Sequence, residues 1–313
     1  MKKLLDHGHL TLKNKTRNTL TFYLLVSPFL ITFVTLSVFP LAYGAYLSFT
    51  NFTGFNIEKL KFVGLRNYIR VFTDNDAMYS LLRTLEIGAI TVPISLIVSF
   101  FLALLLVQNI RCQGIFRTIY YLPSIIPAVA GALMWKLLLG KDRGIINLIL
   151  GLFGIEPIWW LGYDFCTTSL IMTMAWGAAG GILVNMAGLK NIPVELYEAA
   201  TIDGASGWRK MKNITLPLFS PILFYNLLMG IINTLQLFAQ PVLLSNGTGL
   251  LSVPLRPNYT YLVHIYQQVY GAQRFGYGLA LSWVVAIIII FITMIALKTS
   301  GSWVFYEVGQ DGG

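Results

Sequence analysis

The hydrophobic positions of this chain fall into six long stretches, separated by polar or Gly/Pro-rich segments. A membrane-spanning helix needs about 20 mostly apolar residues, and each stretch reaches that length. We therefore predict six transmembrane helices, with approximate limits 20–47, 82–107, 118–139, 165–189, 217–241 and 277–297. The segments between them, 50–81, 140–164, 190–216 and 242–276, are predicted as loops.

A further apolar run, 145–153, is too short to cross a bilayer. Gly154 and Pro157 end this run, and Trp159 and Trp160 follow it. Because tryptophan is enriched at membrane–water boundaries, the run is predicted as a short interfacial helix.

The composition supports an all-α, polytopic membrane protein. Of 313 residues, 56% are hydrophobic and only 11% are charged, and the mean hydropathy is +0.69. Soluble globular chains are about 25% charged, so that class is excluded. The 28 glycines and 12 prolines agree with membrane helices, which tolerate both residues better than soluble helices do.

The formal net charge of +9 first suggests a nucleic-acid partner. In a membrane protein, however, basic residues commonly hold loops at the anionic cytoplasmic leaflet, so we predict no nucleic-acid binding. Five of the basic residues precede the first span: Lys2, Lys3, Lys13, Lys15 and Arg17. They favour a cytoplasmic N-terminus. Six spans then place both termini in the cytoplasm, with Gly207 facing inward and Asn246 facing outward.

Several kinds of chemistry find no support in the sequence. Two cysteines and three histidines form no ligand spacing typical of a metal site, so no metal is predicted. No acidic residue lies at the middle of a span, which disfavours a proton relay. No G-x-x-x-x-G-K-[ST] loop occurs, so the chain lacks its own P-loop for ATP. Any uphill transport must then draw its energy from a partner.

The segment 190–221 predicts a helix–turn–helix on the cytoplasmic side. Pro193 and Glu195 suit the first turn of a helix over 193–202. Asp203-Gly204 then turns the chain, and Ser206 caps a second short helix. The last turn of that second helix is predicted to hold Arg209, Lys210 and Lys212, before Pro217 opens the fifth span.

The first helix of this segment has the features of a docking surface. Ala199 and Ala200 leave little side chain, so another backbone can come close, and Glu198 offers an acceptor to a basic partner residue. The alternative is an ordinary surface helix without a partner.

This segment resembles the EAA signature of the integral membrane subunits of binding-protein-dependent ABC importers. The chain carries Glu198-Ala199-Ala200, then Gly204, then Ile214-Thr215-Leu216-Pro217 at the spacing of that signature. The resemblance implies a type I ABC importer transmembrane domain whose coupling helix inserts into a cytoplasmic ATPase. The residues to which it assigns this docking role are Glu198, Ala199, Ala200, Asp203, Gly204 and Ala205.

Further motifs resemble one branch of this family, the first permease of maltose-type oligosaccharide or glycerol phosphate importers. They include 63–68 (VGLRNY), 120–123 (YYLP), 187–189 (AGL) and Asn246-Gly247. The chain departs from members that carry an extra periplasmic domain and two additional leading spans. The resemblance implies a carbohydrate substrate and a bacterial or archaeal plasma membrane. The partners it implies are a second homologous permease, two P-loop ATPases that use ATP and Mg²⁺, and an external solute-binding protein.

The predicted fifth span carries a polar stripe. Asn226, Asn233, Gln236 and Gln240 recur at helical spacing, with Gly230 between them. These amides either bond neighbouring helices or line a path for a neutral, hydroxyl-rich substrate. In the fourth span, Ser169, Thr173, Trp176 and Gly180 share a face, from which Trp176 is a candidate to stack on a sugar ring.

The predicted domain organisation follows from these assignments. It consists of a cytoplasmic segment 1–19, a first transmembrane helix 20–49, an external loop 50–81, a transmembrane core 82–298 with coupling loop 190–216, and a cytoplasmic tail 299–313. The alternative to a transport subunit is a polytopic membrane enzyme or an ion-coupled carrier. Isolated carboxylates such as Asp74, Asp76 and Asp142 give that alternative little support.

Overall fold

The computed structural model describes residues 19–55, 58–108, 111–177, 181–245 and 252–305. Within these ranges the chain is helical, and the only β-pairing is a single antiparallel bridge between Thr50 and Phe62. The helices are α1 Thr19–Ser48, α2 Arg66–Thr73, α3 Asn75–Val107, α4 Gln113–Ile125, α5 Ala128–Leu138, α6 Ile145–Leu152, α7 Cys166–Gly177, α8 Ile182–Lys190, α9 Val194–Ile202, α10 Gly207–Leu235, α11 Ala239–Leu243, α12 Tyr261–Tyr266 and α13 Phe275–Ser300.

The predicted all-α polytopic architecture is confirmed. Four helices, α1, α3, α10 and α13, are long and apolar enough to cross a membrane by themselves. The pairs α4–α5 and α7–α8 each pass the same test as a bent unit, which brings the candidate spans in the described residues to six. The short interfacial helix predicted over 145–153 is present as α6.

The third predicted span, 118–139, is wrong as a single helix. The chain bends by 103° between α4 and α5, where Ile126 is extended with ψ of 124°. Pro127 explains this break, because the ring of a proline disfavours helical geometry in the residue before it. The fourth span also bends, by 45°, between α7 and α8.

The second predicted span begins too late. The helix α3 starts at Asn75, seven residues before the predicted limit at Leu82, so it includes part of the predicted external loop 50–81. Asp74 caps this helix by accepting hydrogen bonds from the backbone N–H groups of Asp76 and Ala77. Partial burial opposes ionisation, but these bonds and one from the Tyr277 hydroxyl hold the pKa of Asp74 below its usual value.

The helix α3 lies at the centre of the described structure. It packs against α10 and α8, and also against α7, α12 and α2. A second group forms where α13 contacts α1 and α2. In contrast, none of the residues in the apolar window of α1 is buried. The helix α1 therefore forms the periphery, and its side chains are available to lipid.

Four predicted features lie outside the described residues: the N-terminal segment up to residue 18, Gly180, the segment 246–251 with Asn246 and Gly247, and the tail from residue 306. The predicted tail boundary at 299 falls inside α13, which ends at Ser300. After it, the backbone N–H of Phe305 donates to Ser220 Oγ at 2.8 Å, so this end of α13 lies beside the start of α10.

Candidate functional site: a coupling surface and a polar path

The helix α9 ends in a turn that the sequence itself specifies. Gly204 has φ of +72°, a backbone conformation that residues with a side chain rarely adopt. The backbone N–H of Ala205 donates to the Ala200 carbonyl at 2.8 Å, and that of Gly204 donates to the Thr201 carbonyl at 3.0 Å. These two bonds form a Schellman motif, which satisfies carbonyls that the helix end would leave unpaired.

Side chains on one face of α9 bind this helix to the start of α10. The hydroxyls of Tyr197 and Thr215 share a hydrogen bond of 2.9 Å. Lys210 Nζ donates to Thr201 Oγ1 at 2.6 Å. Ile192, just before the helix, is buried in a hydrophobic cluster that also includes Phe219. The orientation of α9 is therefore determined by contacts within the chain.

The opposite face of α9 is open. Glu198 and Ala199 are exposed, and Glu198 forms no salt bridge with any described residue. Ile202 is 88% exposed and Trp208, after the turn, is 75% exposed. These two exposed apolar side chains, together with Glu198, make this face a candidate contact surface for another protein. We call residues 193–208 the coupling surface.

Two residues of this surface were missed by sequence reasoning. Ile202 and Trp208 are apolar, and apolar residues within an amphipathic pattern are usually expected to be buried. The signal available for both was their position within the segment that resembles the EAA signature.

The predicted second short helix is wrong as a separate element. Ser206 does cap a helix start, accepting from the Arg209 backbone N–H at 3.4 Å, but the helix continues without interruption to Leu235. Arg209, Lys210 and Lys212 therefore lie in the first turns of α10. A wide π-type turn over Met211–Thr215 precedes Pro217, which lacks the N–H that would bond to residue 213.

The predicted polar stripe is divided between two helices. The helix α10 ends at Leu235, Gln236 follows as its cap, and Gln240 lies on the separate helix α11. The prediction of one continuous face is therefore wrong. Pro241 gives the reason, because its ring would collide with the carbonyl of Leu237 if the helix continued. That carbonyl instead accepts a hydrogen bond from Thr260 Oγ1 at 2.8 Å.

Asn226 is half-buried and bonds a buried residue of a neighbouring helix. Its Nδ2 donates to Asn185 Oδ1 on α8 at 2.6 Å. Asn185 is only 1% exposed, and its own Nδ2 has no hydrogen-bond partner among the described residues. This amide pair joins α8 to α10, which is the role of a polar contact between packed helices.

Asn233 and Gln236 differ from Asn226 in both exposure and hydrogen bonding. Their side chains are exposed, and neither side chain forms a hydrogen bond with another described residue. Gln240 on α11 is half-buried. Because an unpaired amide is expensive against lipid, the exposed pair indicates contact with water, substrate or a second protein.

Small residues let α10 pack closely on α3. A Cβ at Gly230 would lie 3.1 Å from Val92, and one at Gly88 would lie 3.1 Å from Thr234. Gly230 therefore belongs to the packing interface with α3.

Trp176 lies beside a second tryptophan. Its ring meets that of Trp135 edge to face, with centroids 5.9 Å apart, and it is half-buried. Ser169 and Thr173, predicted on the same face, are buried and bond backbone carbonyls, those of Trp160 and Leu170. They are structural in this chain.

The ionisable residues near the span ends have partners in the chain. Arg83 pairs with Glu86 at 2.7 Å and also donates to the Pro257 carbonyl. Lys136 donates to the Ser245 carbonyl at 2.6 Å. Among the described residues, no group of three or more His, Cys, Asp or Glu residues has the arrangement of a metal site.

Comparison with known proteins identifies similar chains. The chain is 35% identical over 299 residues to the probable ABC transporter permease protein YesP of Bacillus subtilis, covering 94% of this chain and 95% of that protein. It is 31% identical to the trehalose/maltose transport system permease protein MalF of Thermococcus litoralis, covering 93% and 97%.

A solved bacterial ABC transporter involved in alginate import contains a chain of the same fold. The TM-score is 0.79 at 22% identity, covering 92% of this chain and 97% of that one. A family model for binding-protein-dependent transport system inner membrane components matches residues 95–300, which include the coupling surface and the divided polar stripe. The chain therefore belongs to the family of binding-protein-dependent transport system inner membrane components, the permease subunits of ABC importers.

Proposed function

We propose that this permease forms half of the translocation path for a carbohydrate, an oligosaccharide or a related polyol or glycerol phosphate. The observation that carries the proposal is the pair of exposed, uncharged amides, Asn233 and Gln236, at the end of an otherwise apolar helix. An amide offers both donors and acceptors without charge, which matches sugar hydroxyls. A relative that is 31% identical is named for trehalose and maltose transport.

The coupling surface is the proposed site at which a separate ATPase docks. Glu198 has no salt bridge with a described residue, and Ile202 and Trp208 of the same coupling surface are exposed. ATP and Mg²⁺ are bound by that partner, since this chain carries no P-loop sequence. Closure of two ATPases around nucleotide would move α9 and, through the Tyr197–Thr215 and Lys210–Thr201 bonds, the start of α10.

The assembled transporter would contain this chain, a second homologous permease, an ATPase dimer and an external solute-binding protein. The exposed amides of α10 would face the second permease across the path. Both termini would lie in the cytoplasm of a bacterial or archaeal cell. Family membership favours this transport subunit over a membrane enzyme or an ion-coupled carrier.

The direct test is uptake by the complete complex in proteoliposomes, with ATP enclosed on the coupling side. Monosaccharides, oligosaccharides and glycerol phosphates are screened with the binding protein outside. We expect ATP-dependent uptake of at least one neutral saccharide. Exclusive transport of an amino acid or an inorganic ion would overturn the substrate assignment without affecting the family assignment.

Orientation is tested separately with single cysteines in a background that lacks Cys112 and Cys166. Gly207→Cys lies on the coupling surface, and Asp142→Cys lies on an exposed loop at the other end of the molecule. An impermeant thiol reagent should label intact cells only at position 142. Labelling only at position 207 would invert the proposed topology.

A further inference from the structure

Three arginines line a cavity at the end of the molecule opposite the coupling surface. Arg66 and Arg70 on α2 and Arg274 before α13 contribute to a cavity of about 450 Å³, whose lining also includes Tyr277, Thr50 and Asn51. This volume lies within the usual range for small-ligand sites. The cavity adjoins the end of α1 and the start of α13, because the Gly276 backbone N–H donates to the Phe52 carbonyl at 2.9 Å.

The positive charge of this cavity is not neutralised within the described residues. No carboxylate lines it, and none of the three arginines belongs to a salt bridge there. Arg70 stacks over the Tyr277 ring at 4.5 Å, and Arg274 contacts Gln268 at 3.4 Å. Both oxygens of the Asp74 carboxylate have other partners, the start of α3 and the Tyr277 hydroxyl.

The helix α2 beside the cavity has the pattern of a helix that lies in a membrane interface. Leu65, Ile69 and Phe72 recur at spacings of four and three residues and are 62%, 62% and 64% exposed. Arg66 and Arg70 lie on the adjacent face. An exposed apolar stripe next to a basic stripe is typical of amphipathic helices that enter the headgroup region.

The surroundings place this cavity at the edge of the membrane. Tyr43 and Tyr46, near the end of the peripheral helix α1, are 44% and 51% exposed. Tyrosines at a helix end commonly lie at the level of the lipid headgroups. Phe55 and Phe62, in the loop that follows, are 78% and 70% exposed. These exposed aromatic side chains around the cavity are suited to contact with lipid acyl chains and poorly suited to contact with water.

We infer that this arginine cavity binds the headgroup of an anionic phospholipid, with the phosphate accepted by Arg66, Arg70 and Arg274. A guanidinium presents a planar fork of donors that matches a phosphate group in two parallel hydrogen bonds. The apolar stripe of α2 would contact the upper acyl chain of the same lipid. The bound lipid would join α2 to the ends of α1 and α13.

The inference is tested on the purified complete complex by native mass spectrometry during titration with phosphatidylglycerol or with phosphatidylcholine of identical acyl chains. The variant removes two charges, Arg66→Gln with Arg70→Gln. The matched control removes two charges from an exposed loop at the same end, Lys141→Gln with Arg143→Gln. We expect wild type and control to retain phosphatidylglycerol equally and in preference to phosphatidylcholine.

In the double variant, we expect affinity for phosphatidylglycerol to fall about thirtyfold, since each basic residue near an anionic surface contributes about fivefold. Arg66→Gln alone should reduce it about fivefold. The Arg66 side chain has no hydrogen bond or salt bridge to a described residue, so this single variant should fold normally. Equal melting temperatures of the wild type and the Arg66→Gln variant in lipid-free detergent would confirm that the variant folds normally.

Three outcomes would overturn the inference. The first is equal retention of phosphatidylglycerol by wild type and by both arginine variants. The second is displacement of the lipid by millimolar inorganic phosphate, which would indicate a site for a free anion. The third is loss of solute-binding-protein association in the double variant with lipid retention unchanged, which would indicate an acidic protein surface as the ligand.

Discussion

Two regions carry residues that the sequence singles out: the coupling surface and the outer part of α10, defined here as residues 226–240. In these two regions the observed arrangement agrees with the predicted one to different extents. In the coupling surface, the Schellman turn at Gly204 lies where the signature predicts it, and Glu198 is exposed as a docking role requires. In the second region, the four amides predicted as one stripe separate into a half-buried partner of Asn185, two exposed residues and one residue on α11.

The difference teaches that the two regions obtain their geometry from different sources. The turn in the coupling surface depends on bonds between residues at most five positions apart, such as Ala205 to Ala200. Contacts with the start of α10, such as Tyr197 to Thr215, then orient α9. The amides of α10 depend on contacts with α8 and on the break before Pro241. Mutations in the first region should therefore affect an interface with a partner, whereas mutations in the second should affect either substrate or packing.

The largest effect is expected from Gly204→Asp, which should abolish transport while leaving the chain inserted. The aspartate adds bulk and a negative charge to the docking surface, at a backbone φ of +72° that favours glycine. The measurement is ATP-driven uptake beside membrane abundance. Gly154→Asp is the matched control, because Gly154 has φ of +74° in an exposed loop far from the coupling surface.

A second variant, Gly204→Asn, separates backbone conformation from close approach of the partner, since Asn tolerates the left-handed conformation better than most residues do. Activity of Gly204→Asn would assign the role of Gly204 to backbone conformation, and inactivity would assign it to close approach of the partner. Full transport by Gly204→Asp would contradict the docking role.

Glu198→Lys should also abolish transport, by reversing the charge that the ATPase meets. Glu156→Lys is the control, because Glu156 is an exposed glutamate in the loop after α6, outside the coupling surface. Pull-down of the ATPase should be lost for the first variant and retained for the second. Normal ATPase association in both variants would remove Glu198 from the interface.

A smaller loss is expected from Ile202→Ala. Covering an isoleucine that is now 88% exposed would contribute about 1.5 to 3 kcal/mol to docking, so its truncation should weaken ATPase association about tenfold or more. Titration of the ATPase against the purified permease pair measures this affinity. An unchanged affinity would mean that Ile202 stays exposed in the complex.

In the outer part of α10, Asn233→Leu and Gln236→Leu should each raise the KM for a neutral saccharide about tenfold without loss of assembly. A sugar hydroxyl left without its partner costs about 1 to 3 kcal/mol. Uptake kinetics are measured together with the thermal stability of the complex. Lowered stability with unaltered uptake would reassign both amides to packing, and Trp176 would become the next candidate.

The smallest effect is expected from Asn226→Leu, which should lower thermal stability while leaving substrate preference unchanged. The bond to Asn185 is worth about 0.6 kcal/mol if it is typical of membrane helices. Replacing both partners by leucine should recover part of the stability, because no buried amide is then left unpaired. A change of substrate preference in Asn226→Leu would instead bring Asn226 into the path.

The sequence by itself determined the features that depend on residues close together in the chain. Runs of apolar residues predicted the long helices, because a bilayer requires about 20 such residues in succession. The pattern from Pro193 to Ser206 predicted α9, its turn and the following cap, because these are set by local hydrogen bonds. The breaks at Pro127 and before Pro241 also lie beside prolines, but Pro93 and Pro221 lie inside continuous helices, so the proline rule alone does not locate a break.

Only the tertiary structure decided which polar side chains form hydrogen bonds within the protein and which are exposed without a partner among the described residues. Asn226 and Asn233 are the same residue type, seven positions apart on one helix, and they differ because Asn185 meets only the first. Likewise, Arg274 lines the same cavity as Arg66 and Arg70, although about 200 residues separate it from them in the chain. Such pairings depend on how helices pack across long sequence separations, and neither helical period nor composition carries that information.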